Sequence, residues 1–151
     1  MRGDERIVDN AAVPIDIRRI SAADGPELKE IRLAALRDAP SAFGSTYAEE
    51  AERSDTEWSE RARLASTGLD RITFLARLDA RPIGIAGGYR EEEQSTEADL
   101  VSMWTAPEVR RTGTGRLLVR EVIDWAAQTG ASSVGLWVTR GNSPAQLLYE
   151  S

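Results

Sequence analysis

Residues 98–138 leave this chain little freedom in how it folds. A β-rich run, a glycine-bearing loop, an amphipathic helical pattern and a second β-rich run follow one another directly. The first run, ADLVSMWTA (Ala98–Ala106), stops before Pro107, which has no N–H with which to extend a ladder. After the loop PEVRRTGTG, the residues Leu118, Val122, Trp125 and Ala126 recur at i, i+4, i+7 and i+8, one apolar stripe along a helix ending near Gly130. SVGLWV (Ser133–Val138) is the next strand. A strand–helix–strand unit of this kind predicts a right-handed crossover that leaves its two strands, Leu100–Thr105 and Ser133–Val138, parallel.

The rest of the chain supplies what packs around that unit. IDIRRI (Ile15–Ile20) alternates apolar and polar residues, as a half-buried strand does. Ser21 precedes a helix whose stripe is Leu28, Ile31, Ala35 and Leu36, and which stops near Asp38-Ala39-Pro40. Weaker helical patterning runs from about Thr46 to Ala65, with Ser54 or Asp55 placed to cap its second half. ITFLARL (Ile72–Leu78), the turn DARP and IGIAGGYR read as a hairpin. EEEQSTEA is an acidic loop, and a last helix begins near Ser143. The predicted order is β-α-α-β-β-β-α-β-α, an α/β layout with antiparallel and crossover parts. Residues 1–13 read as a flexible tail, and residues 14–151 as one domain, since 151 residues suffice for one real core.

Composition narrows the chemistry. There is neither cysteine nor histidine, so a thiol nucleophile, a disulfide framework, the commonest general base and the commonest metal ligand are all missing. No metal site is expected. The N-terminus is charged and has no apolar run of signal-peptide type, and no stretch is apolar enough to span a bilayer, so the expected location is the cytoplasm. A net charge of −6 without a basic cluster argues against nucleic acid as a partner. The acidity suits either plain solubility or a cationic substrate.

The glycine loop carries the strongest chemical signal. Gly113 and Gly115 fall at the first turn of a helix, where unpaired N–H donors and the positive dipole end favour an anion. Glycine there lets an anion's oxygens reach the backbone, and Arg110 and Arg111 add fork-shaped donors. A phosphate or pyrophosphate cradle is the physical reading; a tight strand-to-helix turn is the plain alternative. A P-loop requires Lys-Ser/Thr after its last glycine, but Arg116-Leu117 stands there. A dinucleotide loop requires a third small residue, but Leu118 stands there, and no acidic residue ends the next strand. The pattern Arg/Gln-x-x-Gly-x-Gly/Ala fits Arg110-Arg111-Thr112-Gly113-Thr114-Gly115.

Over most of Ile15–Ser151 the sequence resembles the GNAT acetyltransferases, a resemblance carried by MWTAPEVRRTGTGRLLV, by LWVTRGNSPAQLLYE and by DAPSAFGSTYAEE, a segment similar to one seen in a bacterial branch. It implies a mixed, mainly antiparallel sheet with a splayed parallel pair and helices on both faces. It also implies N-acetyltransferase activity: acetyl-CoA gives its acetyl group directly to an amine in a ternary complex, through a tetrahedral oxyanion, with positioning and charge stabilisation doing the catalysis. By motif match, Met103, Trp104 and Thr105 would pair with the pantetheine arm, with the Trp104 N–H most favoured to face the thioester oxygen. Arg110, Arg111, Thr112, Gly113, Thr114 and Gly115 would take the pyrophosphate. Asn142 either bonds the cofactor arm or caps the last helix. Tyr149 would protonate the leaving thiolate. The base is the gap in this scheme. Trp137 occupies the place a glutamate takes in some relatives, leaving Glu97 or Asp99, each more readily a solvated loop charge, a water chain or an amine that arrives neutral.

The family's acceptor site implies a wall from about Phe43 to Arg63. Phe43, Tyr47 and Trp58 line it or belong to the core, the second being favoured; Glu49, Glu50 and Glu52 attract an amine or are merely solvated. The acceptor is a small-molecule amine or a peptide or protein amine, and a homodimer is a possible assembly, as in relatives. After Ser151 the family has a Gly-Phe pair and two further strands, without which Ser133–Val138 would be a bare edge, so either the chain continues, the favoured expectation, or another subunit covers the edge. A non-catalytic acyl-CoA sensor and an interaction module on the same fold are the alternatives from other functional classes.

Overall fold

The computed structural model describes residues 15–40, 46–91 and 96–136. The expected tail at 1–13, Phe43, the end of the last strand at Trp137–Val138 and the helix from Ser143 lie outside them. The elements in chain order are β1 (Ile15–Arg19), α1 (Gly25–Asp38), α2 (Tyr47–Ala51), α3 (Asp55–Thr67), β2 (Arg71–Leu78), β3 (Arg81–Tyr89), β4 (Glu97–Thr105), α4 (Thr114–Gln128) and β5 (Ser133–Leu136). The five strands form one sheet in the order β1-β2-β3-β4-β5. Neighbours up to β4 are antiparallel. β5 joins β4 in parallel, with Glu97 opposite Ser133 and Leu100 opposite Leu136. Among the described residues, Val101–Thr105 has no β5 partner.

The predicted stripes are the buried faces. α1 buries Leu28, Ile31, Ala35 and Leu36, and α4 buries Leu118, Val119, Val122, Trp125 and Ala126. The helical stretch expected from Thr46 to Ala65 is instead two helices, because two capping boxes compete for it. Thr46 accepts from the Glu49 amide while the Glu49 carboxylate accepts from the Thr46 amide, and Ser54 and Glu57 repeat the exchange. Ser54, not Asp55, is the cap of α3. The hairpin turn is shorter than DARP: Asp79 and Ala80 alone connect β2 to β3, both at positive φ, so that Leu78 pairs with Arg81.

The glycines of β3 fix where α4 lies. A Cβ on Gly84 would meet Leu118 at 3.0 Å, and one on Gly88 would meet Trp125 at 2.8 Å. Both faces of the alternation are used, since Ile85 and Gly87 line a groove with Leu28 and Arg32 of α1 and Arg61 of α3. The sheet is thus covered by α1 and α3 on one side and α4 on the other. Arg90, expected as the end of β3, leaves the strand, and its wholly buried guanidinium donates to the carbonyls of Ala126 and Thr129 at the C-terminus of α4.

Candidate active site

The site is built along β4 and the start of α4. β4 carries an extra residue. Ile85 pairs with Trp104, but two residues further along β3, Gly87 pairs with Val101, three residues back along β4. The bulge falls at Ser102, whose φ is 56°. As a bulge requires, two consecutive side chains, Val101 and Ser102, line the same groove.

The bulge decides which amides face the flank on which, among the described residues, Val101–Thr105 has no β5 partner. The Ala106 N–H donates to the Ile83 carbonyl at 2.8 Å, and the Trp104–Ile85 pair lies two residues on in each strand. Alternation therefore points the Trp104 N–H into β3 and the N–H groups of Met103 and Thr105 to the flank away from β3. This corrects the expectation that the Trp104 amide faces the thioester: it is consumed by the sheet. The Trp104 side chain is buried and its Nε1 donates to Asp38 Oδ2 at 2.9 Å, which makes it a tie between β4 and the end of α1.

After Thr105 the chain turns through a short 3-10 segment, Pro107–Val109, and enters the glycine loop. Gly113 is the N-cap of α4 at φ 90°, a conformation that disfavours side chains, and a Cβ placed on it would meet nothing within 4 Å. The first intrahelical bond runs from Leu117 N–H to the Gly113 carbonyl, so the amides of Thr114, Gly115 and Arg116 have no carbonyl of their own helix to reach. The threonines shape the loop from beneath. Thr112 Oγ1 donates to the Val109 carbonyl and lies 2.8 Å from Thr114 Oγ1, and Thr114 is 1% exposed. Their hydroxyls are thus structural, and an anion would meet main-chain amides above an open space. Arg110 also departs from expectation. Its amide donates to Pro107, and its guanidinium is held by Asp38 at 2.7 Å and by the Thr105 carbonyl. The hydrogen bond from Trp104, then that from Arg110, holds the Asp38 carboxyl below its usual range. Arg111, exposed at φ 69°, is not tied in this way. Unpaired amides, the open approach at Gly113 and the nearby Arg111 suit the charge of a diphosphate.

On the opposite side of β4, Asp99 is half-buried between Tyr89 on β3 and Gly135 on β5, whose missing side chain leaves room for the carboxylate, 2.9 Å from the position of a Cβ. Glu97 is exposed. Both border an acidic groove with Tyr89, Glu91 and Thr96. Of the expected acceptor wall, Trp58 is core, at 1% exposure, and Tyr47 is partly exposed with its hydroxyl accepting from Arg37. Glu49 is spent on its capping box and Glu52 is exposed. Glu50 is neither solvated nor free to attract an amine. It is fully buried and paired with Arg32 at 2.9 Å, Arg53 at 2.8 Å and Arg61 at 3.1 Å. Burial alone pushes its carboxyl up; the Arg53 hydrogen bond and the Arg32 charge outweigh that and bring it down to about 2. Asn142 and Tyr149 lie outside the described residues.

A strand whose segment Val101–Thr105 has no β5 partner among the described residues, followed by a helix whose first amides are unpaired within it, suits a long cofactor that carries a diphosphate. Residues 30–151 match the Acetyltransferase (GNAT) family, and the chain belongs to it. It is an acyltransferase of that family, whose fold uses acetyl-CoA. Its structure is similar to a GNAT acetyltransferase from Streptococcus pneumoniae, with 23% identity, a TM-score of 0.75, and 91% of this chain and 82% of that one covered. It is also similar to the PaiA N-acetyltransferase from Thermoplasma acidophilum in complex with coenzyme A, with 21% identity, a TM-score of 0.72 and coverage of 91% and 87%. A third is an aminoglycoside acetyltransferase from an uncultured soil metagenomic sample in complex with sisomicin, with 15% identity, a TM-score of 0.66 and coverage of 90% and 85%. No helix among the described residues is long and apolar enough to cross a membrane.

Proposed function

We propose that the chain transfers the acetyl group of acetyl-CoA directly to the primary amine of a small molecule or peptide. The observation that carries this reading is the cradle: three helix-terminal amides, at Thr114, Gly115 and Arg116, follow a left-handed Gly113 in the loop after β4. Acetyl-CoA supplies an activated acyl group on sulfur. The chain's own part is to grip the diphosphate with those amides, with Arg111 adding charge, and to fix the cofactor arm against the Met103 and Thr105 amides. An attacking ammonium must lose a proton, and Asp99 is our candidate to accept it, its partial burial beside the acidic groove favouring it over the exposed Glu97. Tyr149 serves as the proton donor to the leaving thiolate and Asn142 as a partner of the cofactor arm. The grooved, acidic rim suits a cationic acceptor. The aminoglycoside acetyltransferase that binds sisomicin supports an amine of that polycationic kind.

Calorimetric titration with acetyl-CoA, followed by thiol release over a panel of aminoglycosides, polyamines, amino acids and peptides, tests the reading. Gly113→Asp puts a carboxylate where the diphosphate must lie, while aspartate tolerates left-handed backbone better than most residues. It should remove acetyl-CoA binding and leave the Tm within a few degrees. Asp99→Asn and Tyr149→Phe should lower kcat and leave acetyl-CoA affinity in place. Unchanged binding in Gly113→Asp would refute the cradle.

A further inference from the structure

Ser102 stands in the left-handed region in the middle of a strand, which an L-residue holds only where its surroundings over-determine it. Its side chain is held from α1, where Arg32 Nη1 donates to Ser102 Oγ at 3.0 Å. Arg32 is itself aimed by Glu50, which accepts from its Nε at 2.9 Å. Glu50 is fully buried and also gripped by Arg53 and Arg61, so the far end of this chain of contacts is anchored in α2, α3 and the segment between them. The bulge at Ser102 sets the phase of everything after it. Were β4 to lose that extra residue by slipping one place, Met103 and Thr105 would turn their amides into β3, and Trp104 would turn its amide to the flank.

We infer that Arg32 is a positioning residue for acetyl transfer: through Ser102 Oγ it holds the β4 bulge, and so keeps the Met103 and Thr105 amides on the side where the cofactor arm lies. The role of those amides rests on the acetyl-CoA reading above. The hold on the bulge rests on the geometry alone.

Glycine separates this role from general support of the fold, because glycine takes positive φ without strain. Four variants are compared with the unaltered chain: Arg32→Met, Ser102→Ala, Ser102→Gly and the double Arg32→Met/Ser102→Gly. The readouts are thiol release from acetyl-CoA with the best amine of the panel, acetyl-CoA affinity by calorimetry, and the 13Cα and 13Cβ shifts of residue 102, which report its φ. Arg32→Met should lower kcat by about ten-fold while acetyl-CoA affinity changes less than about three-fold, because the diphosphate cradle is separate. The double variant should recover most of that loss, and Ser102→Gly should retain more turnover than Ser102→Ala. The shifts of residue 102 should leave their left-handed values in Arg32→Met. A double variant no better than Arg32→Met, or equal turnover in Ser102→Ala and Ser102→Gly, would overturn the inference. If Arg32→Met does not fold, the alanine–glycine pair decides. If the unaltered chain neither binds acetyl-CoA nor releases thiol, the cofactor reading fails, and unmoved shifts in Arg32→Met or Ser102→Ala would still overturn the hold on the bulge.

Discussion

At Glu50 one buried carboxylate faces three guanidinium groups, and its protonation costs the fold its shared anchor. Its carboxyl titrates at about 2 in the folded chain against 4.5 for an ordinary glutamate. A carboxyl held low binds fewer protons folded than unfolded, so its contribution is complete above about pH 4.5 and is lost as pH falls toward 2. Thermal melts should therefore show an acid loss of Tm in that window. In Glu50→Gln the neutral-pH stability should be about 3 kcal/mol lower and the acid slope shallower. An acid slope identical to that of the unaltered chain would mean that other carboxylates, such as Asp38, carry the whole effect. Nothing local in YAEEAERS distinguishes Glu50 from Glu49 or Glu52. Its partners come from α1, from the segment after α2 and from α3, and only the packed fold brings them together. The Arg110–Asp38 pair is hidden in the same way, since 72 positions and the strands β2, β3 and β4 separate its members in sequence.

α4 was legible because its signal is local: the stripe Leu118, Val122, Trp125, Ala126 names the buried face without reference to what it meets. The glycines of β3 were not, because their reason lies in that distant helix. Gly88 keeps the strand flat beneath the Trp125 ring, and an added methyl would come within 2.8 Å of Cζ3 and 3.0 Å of Ile72 Cγ2. Neither neighbour can retreat cheaply, since Trp125 is 5% exposed and also underlies the Arg90 guanidinium, 5.4 Å from its ring centroid. Gly88→Ala should cost about 1–3 kcal/mol, a Tm drop of roughly 3–10 °C at this chain length. Trp125→Phe in the Gly88→Ala background should recover part of it. Equal melting temperatures for Gly88→Ala and the unaltered chain would show that α4 does not sit as close as this. The bulge is illegible for another reason: a one-residue excess in β4 is visible only against the partner strand, where Gly87 faces Val101 and Ile85 faces Trp104. Helices α2 and α3 fall between these cases: Ser54 is legible as a cap within the stretch 46–65, whereas the first box, Thr46 with Glu49, emerges only in the folded chain.

Across the whole molecule, charge sets a contest. The chain carries a net −6 at pH 7 and its proposed ligand is a polyphosphate, so the long-range field opposes binding. What favours it is short-range: the amides of Thr114, Gly115 and Arg116 at a helix N-terminus, with Arg111 beside them, while Arg110 is committed to Asp38. Salt weakens these opposing parts unequally. The Debye length is about 10 Å at 0.1 M ionic strength, so the repulsion of scattered surface carboxylates is screened first, and amide contacts at hydrogen-bond distance are screened least. Acetyl-CoA affinity measured by calorimetry from about 50 to 300 mM salt should therefore change by less than about three-fold, in contrast to the steep loss expected of a site made of exposed arginines. Arg111→Ala should weaken binding by only a few-fold and flatten the remaining salt dependence further. A ten-fold or larger weakening over that range would mean that guanidinium charge, and not the backbone of the glycine loop, holds the cofactor.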